Sequence, residues 1–493
     1  MAWGTGDRGR LKLEAPIRNG GRGSKDRMKG KIMKKAIVVG TLALLVVTSA
    51  WATEYSLDDL LRIALERSER IKISDEDVYI AERTKDKAMS LLLPKLSAVG
   101  NYVSYNESKI SNSGSFSQPK DRTGFELRLD QSMSLGGKEI TALRITKQGI
   151  EKSKQDLYAV KEAYLLNVAA AYYDALRIDK LIQIARANVD RLGKYRDAAT
   201  TRLRVGEVTK TAVLRAEAEL SGARTELIRS ENSYKLAKAV LARTVGIEND
   251  YELREEQQPP DEKNGKPDTV TVVRGCEPIT VECLKEKAEA ERAELKSLYT
   301  QKKIAEDQVR FAQGSYWPTL AVEGVYAKKD ESPETGGLVR DSAYGGVRLT
   351  FPFFEGGLRR AEVLEAEAKK RQAEYSLADM KKSIGVEVES AYLDYMTQKG
   401  VLKSVTDQVL FSRQNYSAVS RQFEFGLVSS LDVLDANTSL VDSERQLTNV
   451  MYIYQFSMLR LRRVTGTLLK DVSLAPEIPG KTNGLSSAAK EIS

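Results

Sequence analysis

Histidine is absent from this chain, and with it the side chain most used for proton transfer near neutral pH and for metal ligation. Cysteine is nearly absent: Cys276 and Cys283 are the only two, without the spacing of a metal-binding CxxC pair. The sequence has no nucleophile elbow, no phosphate loop and no dinucleotide fingerprint, and its glycines stand at junctions rather than in a phosphate cradle. No enzyme activity, cofactor or metal is expected. Past residue 52 there is no apolar run long enough for a transmembrane helix, so membrane residence would require a β-barrel. Proline is missing from 138 to 203 and from 358 to 423, which allows helices of unusual length.

The excess of positive charge is local. The formal charge is +8, and the surplus of Lys and Arg over acids within residues 1–35 accounts for all of it. The basic balance therefore predicts no nucleic-acid partner for the rest of the chain. Met33, Lys34 and Lys35 open a short basic region, Ala36 to Val47 is apolar, and Ala50-Trp51-Ala52 fits a small-x-small cleavage site. Residues 33–52 read as a secretory signal peptide with the mature chain starting near Thr53, and no cysteine follows to carry a lipid anchor. Residues 1–32 read either as a spurious extension from an upstream start codon or as a basic arm. In an exported protein Cys276 and Cys283 could close a small disulfide loop, which geometry must decide.

What is present is a large tandem repeat. A shift of 220 places Gly206 on Gly426, Val213-Leu214 on Val433-Leu434, Leu220 on Leu440 and Gly246 on Gly466. Before the hairpins the shift is 224: Ile80-Ala81-Glu82 returns as Ile304-Ala305-Glu306, Pro94 as Pro318, Gly100 as Gly324 and Tyr102 as Tyr326. The four-residue change is expected in the hairpin loop, where length varies most easily. The first repeat, 53–246, reads as a helix over 56–92, a β-hairpin over 95–135, a long helix over 138–203 and a return helix over 208–245. The second, 286–466, has its hairpin at 319–355, its long helix at 358–423 and its return helix at 428–465. Residues 247–285 form a linker whose prolines argue against regular structure, and 467–493 form a flexible tail.

The strands are the clearest guide to environment. Phe125, Leu127 and Leu129 alternate with Glu126, Arg128 and Asp130, and Val347, Leu349, Phe351 and Phe353 with Arg348 and Thr350. Such a face fits lipid outside and water inside. Four strands cannot close a barrel, so copies must pool them: two copies would give eight strands and a filled interior, three would give twelve and a water-filled lumen. The long helices carry Leu143, Ile150, Leu157, Tyr164 and Ala171 at intervals of seven, as in coiled coils. Tyr316 and Trp317, with Tyr102, Tyr105 and Tyr326, fit either an aromatic belt at the membrane boundary or ordinary packing at a strand-helix junction.

The duplicated order of helix, hairpin, long helix, turn and return helix resembles the TolC family of outer-membrane efflux proteins over nearly the whole chain past residue 52. The most specific stretch is Asp432-Val433-Leu434-Asp435-Ala436, then Leu440, Gln446-Leu447, Tyr452, Leu459 and Gly466-Thr467-Leu468. Phe351-Pro352-Phe353-Phe354-Glu355-Gly356-Gly357 is similar to the family's strand-to-helix junction; the first repeat has Gly136 and Gly137 there, and Ser132 in place of Pro352. The resemblance implies a mainly α protein with a membrane β-barrel portion: a homotrimer with a twelve-stranded barrel in outer-membrane lipid and a long α-helical barrel in the periplasm. A periplasmic adaptor and an inner-membrane transporter would be its partners.

The resemblance also implies site residues. The turns Val205-Gly206-Glu207 and Phe425-Gly426-Leu427 would form the tip that opens and that the adaptor contacts. Asp432 and Asp435, spaced to share one side of a helix start, would line the constriction; read without the family, they fit helix-dipole stabilisation behind a Ser429 or Ser430 cap better than a carboxylate ring. The family's tip lock, an Asp with an Arg and a Tyr, falls here on Ala212, Val428 and Phe423 and is missing. The alternative function is an exported coiled-coil structural or adhesive protein with soluble hairpins.

Overall fold

The computed structural model describes residues 53–248, 251–255 and 272–474. The 1–32 extension, the 33–52 signal and parts of the linker and tail lie outside the described residues. Helix α1 (Leu57–Arg67) starts at a capping box, in which the Ser56 hydroxyl and the Asp59 carboxylate each bind the other's backbone N–H. Its Leu57, Leu60, Leu61 and Ala64 face the core. The single helix expected over 56–92 is two: Ser68 leaves the helical conformation and its hydroxyl accepts from the Ile71 N–H, starting α2 (Glu69–Ser90). Neither Gly nor Pro marks this break. The second repeat breaks at Arg292, between α5 (Val281–Glu291) and α6 (Ala293–Gln313).

Two long helices, α3 (Lys138–Arg204) and α7 (Leu358–Glu424), have 67 residues each, about 100 Å at 1.5 Å per residue. Each turns at a glycine into a return helix, α4 (Lys210–Val245) or α8 (Ser430–Val464). Near the sheet α3 packs against α2 and α6; toward the turns it packs against α4 and α8. One apolar core lies where α1, the middle of α3 and the end of α4 meet, around Leu60, Leu165, Tyr172 and Leu241. A second joins α5, α7 and α8 around Leu284, Val388 and Leu461, and a third lies near the turns around Leu192, Leu220 and Phe423.

The four main strands, β2 (Lys95–Ser104), β5 (Asp121–Ser134), β7 (Thr319–Ser332) and β8 (Asp341–Thr350), form one antiparallel sheet in the order β2-β5-β7-β8. A small pair, β3 (Lys109–Ile110) and β4 (Phe116–Gln118), decorates the first loop. The two hairpins share one register. Their pairing stops at Ser104–Asp121 in the first and at Lys328–Asp341 in the second, so the connections 105–120 and 329–340 differ by the four residues that change the repeat offset. Ser132, opposite Ala321, lets β5 run on to Ser134, whereas Pro352, with no N–H to donate, follows the shorter β8 on the sheet's edge.

The linker and tail are corrected in part. Strand β6 (Tyr251–Leu253) pairs with β1 (Thr53–Tyr55), and α5 begins at Val281, inside the segment expected to be irregular. Residues Leu468–Leu474 form α9, which buries Leu468, Leu469 and Val472 in the core around α1 and α3. The Cys276 and Cys283 sulfurs are bonded, with Cα atoms 5.8 Å apart. Cys276 is buried, and the bonded loop fixes residues 272–276 against α5, α7 and α8.

Candidate functional site

Two regions carry the residues singled out by the sequence. In the sheet, register places Leu96, Ala98, Phe125, Leu127, Leu129, Val322, Tyr326, Val347 and Leu349 on one face, because directly paired residues share a side. Glu126, Arg128, Asp130, Glu323 and Arg348 occupy the other. Leu96, Phe125, Leu127, Leu129 and Leu349 of the first face are exposed in the single chain, Leu96 by 72% and Val347 by 72% as well, which is untenable in water over so wide an area. The aromatics divide between the two ends. Tyr102 and Tyr326 stand toward the loops and donate to Asp121 (2.7 Å) and Asp341 (3.3 Å), one pair per repeat. Tyr316, Trp317, Phe353 and Phe354 stand toward the helices, Phe353 90% exposed.

At that junction Gly137, Gly356 and Gly357 all take left-handed φ, and Gly137 and Gly357 are the residues from which the long helices start. A Cβ on Gly136 would lie 2.6 Å from the Gly314 carbonyl and 2.8 Å from the Trp317 ring, so the close approach of the first junction to the second requires glycine there.

The opposite end of the molecule is built from the two turns. Gly206 (φ 79°) and Gly426 (φ 73°) reverse the chain in the left-handed region open to glycine. The Glu207 N–H donates to the Arg202 carbonyl at 2.9 Å, and the Leu427 N–H to the Gln422 carbonyl at 2.9 Å, so the two turns share one hydrogen-bond pattern. Val205, Phe425 and Leu427 are 67%, 78% and 74% exposed at the extremity.

Helix α8 then begins with a capping box. The Ser429 N–H (2.8 Å) and hydroxyl (2.7 Å) donate to Oδ2 of Asp432, and the Asp432 N–H returns to the hydroxyl at 3.4 Å. Those bonds from Ser429 hold the Asp432 carboxyl below the usual carboxylate range. Ser429, not Ser430, is the cap. Asp432 and Asp435 are both exposed, opposite the buried Val433, Leu434, Ala436 and Asn437. The helix-capping and surface readings therefore describe one carboxylate together: Asp432 caps, and it also contributes to an acidic face with Asp435.

Beside the turns, residues of α3 pack against the end of α7 and the start of α8. Phe423 is buried, its ring 5.4 Å from that of Tyr195, and the Arg202 guanidinium lies 4.3 Å over it. Arg202 also donates to the Glu424 carbonyl (2.6 Å), and Tyr195 to the Ser430 carbonyl (3.1 Å). Farther along, Arg191 bonds Asn437 (3.1 Å) and Asn437 bonds Asn188 (2.8 Å). Ala212 and Val428 take no part in an ionic contact; Val428 packs beside this apolar cluster. A phenylalanine that cannot hydrogen-bond is thus held by a cation and a ring from the other repeat, a pairing between residues 221 positions apart that no local pattern announces.

The sequence profile of the family described as outer membrane efflux protein matches residues 60–247 and 284–467, one segment in each repeat. Outer membrane protein TolC of Vibrio cholerae is 24% identical over 441 residues, covering 88% of this chain and 96% of that protein. The alkaline protease secretion protein AprF of Pseudomonas aeruginosa is 23% identical over 447 residues, 87% of this chain and 88% of AprF. Among solved structures, the outer membrane protein VceC of Vibrio cholerae superposes with a TM-score of 0.69 at 19% identity, over 83% of this chain and 96% of VceC. The CmeC outer membrane channel of Campylobacter jejuni gives 0.72 at 16% identity, over 85% and 89%.

Proposed function

Because this chain belongs to the outer membrane efflux protein family, and is thereby an outer-membrane channel protein reaching into the periplasm, we propose that three copies form a passive exit duct. The observation that carries this reading is the open sheet: β2 and β8 are unpaired along their outer sides, and one face is apolar. Lipid tolerates no open edge, and four strands are too few to close, so twelve strands from three copies satisfy both demands with a water-filled lumen lined by Glu126, Arg128, Asp130, Glu323 and Arg348.

The helices support side-by-side association. On α7, Val386 and Leu393 are exposed seven residues apart, and Met396 and Leu410 fourteen apart. On the other lateral edge Ile73 and Ile80 of α2 and Ile228, Leu236 and Val240 of α4 are exposed. Copies placed side by side bury α7 of one against α2 and α4 of the next, and the ring closes as an α-helical barrel. Its narrow end is the pair of turns, where Asp432 and Asp435 from each copy form an acidic ring that attracts cations and opposes anions.

The duct supplies no energy. An inner-membrane transporter drives export and a periplasmic adaptor joins it to the tip, where Val205, Gly206, Glu207, Phe425, Gly426 and Leu427 are the contact surface. The cargo class is efflux substrates or, as the name of AprF says of that relative, a secreted protein. Tip closure rests on the contacts of Phe423 with Arg202 and Tyr195.

The test is reconstitution. Outer-membrane fractionation, a detergent-stable trimer and cation-selective single-channel currents are expected. Release from cells without detergent, or a trimer that never conducts, would instead indicate the coiled-coil structural protein.

A further inference from the structure

Glu162, in the first half of α3, is fully buried yet poorly matched. Its Oε1 accepts only a long bond, 3.4 Å, from the Leu469 N–H of α9, and its Oε2 has no hydrogen-bond partner among the described residues. Two further buried polar atoms without hydrogen-bond partners among the described residues belong to its neighbours: the hydroxyl of Tyr158, one turn earlier on α3, and Nη1 of Arg463 near the end of α8. Arg463 is the obvious counter-ion, but it is engaged elsewhere, donating through Nη2 to Glu294 at 2.6 Å.

The surroundings explain why Glu294 holds that cation. Although burial pushes the Glu294 carboxyl up, the hydrogen bond from Arg292 and the charges of Arg463 and Arg292 bring it well below the usual range. Arg292 is shared in turn with Glu387 of α7. At the end of α5, Glu291 is paired with Lys296 and Lys470, and on α9 Asp471 faces Arg274 and Arg462. The other acids facing this region are matched with cations, and Glu162 is not. Burying a carboxylate without a hydrogen-bonded cation is strongly unfavourable, whereas the neutral acid does not carry that penalty.

We propose that Glu162 is a proton-binding site that couples the seating of α9 to pH: the carboxyl holds a proton while α9 covers it and releases the proton when α9 lifts and water reaches the group. Protonation removes the unmatched charge and makes the carboxyl a hydrogen-bond donor. Burial, opposed by Arg463 and the Leu469 N–H, pushes this carboxyl up to about 7 from an ordinary 4.5. The sign follows: the folded form binds the proton more tightly, so the contribution to α9 docking is complete below about 4.5 and is lost as pH rises through about 7.

The experiment is hydrogen exchange on the assembled full-length protein, reading the amides of residues 468–474 and correcting for intrinsic rates. Protection of that segment should fall at least about tenfold from pH 5 to pH 8. Glu162→Gln, neutral at every pH, should keep high protection that varies less than about twofold over the range. Wild-type protection independent of pH, or a Gln variant with the wild-type slope, overturns the proposal. Should Glu162→Gln fail to assemble, Arg463→Gln decides: with the opposing cation gone the midpoint must move to higher pH, and a midpoint that stays put or falls counts against the site. None of these readouts depends on whether the assembled copies conduct.

Discussion

The two turns at the narrow end are the same backbone carrying different side chains. Both pass through a left-handed glycine, and both close with an N–H to the carbonyl five residues back. At the shared offset, however, Glu207 stands against Leu427, Thr209 against Ser429, Ala212 against Asp432 and Arg215 against Asp435. Thr209 makes no side-chain cap bond, whereas Ser429 forms a complete box with Asp432. The duplicated unit needs its glycine, its apolar core positions and its long helices to stand at all. The exposed positions are free to diverge: the second repeat carries Asp432 and Asp435, and the first supplies Arg202, which lies over Phe423 of the second.

Breaking this asymmetry at its acidic side should give the largest effect. Asp432→Ala combined with Asp435→Ala removes six carboxylates from a trimer, and block of single-channel current by multivalent cations should weaken on the order of a hundredfold. Unaltered block and unaltered cation selectivity would show that the pair serves α8 alone.

The second comparison is between the starts of the repeats. The first is tied by the β1–β6 pair and the second by the disulfide. Cys276→Ser with Cys283→Ser opens a short loop and should lower stability by about 2 kcal/mol, read as a drop in the thermal midpoint of the trimer that reductant does not deepen. Arg202→Ala tests the grip between repeats. Loss of its place over Phe423 and of its bond to the Glu424 carbonyl should favour the open tip by about 1 kcal/mol, seen as longer or more frequent open events; Arg202→Lys should recover only part, since ammonium lacks the planar face.

The smallest effects sharpen the cap difference itself. Ser429→Ala should cost about 1 kcal/mol of stability, and it should raise the pH at which Asp432 takes up a proton, since the Ser429 hydroxyl is the main group holding that carboxyl down. Thr209→Ala should cost no more than a few tenths of a kcal/mol in the same thermal assay, because no side-chain bond is lost. Equal costs at the two positions would remove the distinction.

The features that recur over long stretches were plain in the sequence. Gly137 and Gly206 bracket α3 in the chain as they do in the fold, and the alternation in β5 is the alternation of the sheet's two faces. Three features were obscured, each for a physical reason. The break at Ser68 keeps the helical phase of the apolar positions on both sides, so periodicity passes over it. The apolar residues of α9 were overshadowed by the polar tail that follows them, though Leu468, Leu469 and Val472 have helical spacing. Near the turns, Asp432 and Asp435 stand out because they are charged and three positions apart, whereas Arg202, Tyr195 and Phe423 meet only when two helices from different repeats are brought side by side.

The matched 67-residue lengths of α3 and α7 make the molecule a ruler. Deleting one residue from either helix would shorten it by about 1.5 Å and rotate everything beyond by about 100°, turning seam residues away from their partners. Length can therefore change only in whole coiled-coil repeats, and in both helices together. The distance between the sheet and the two turns is therefore set in steps of about 10 Å, not tuned residue by residue.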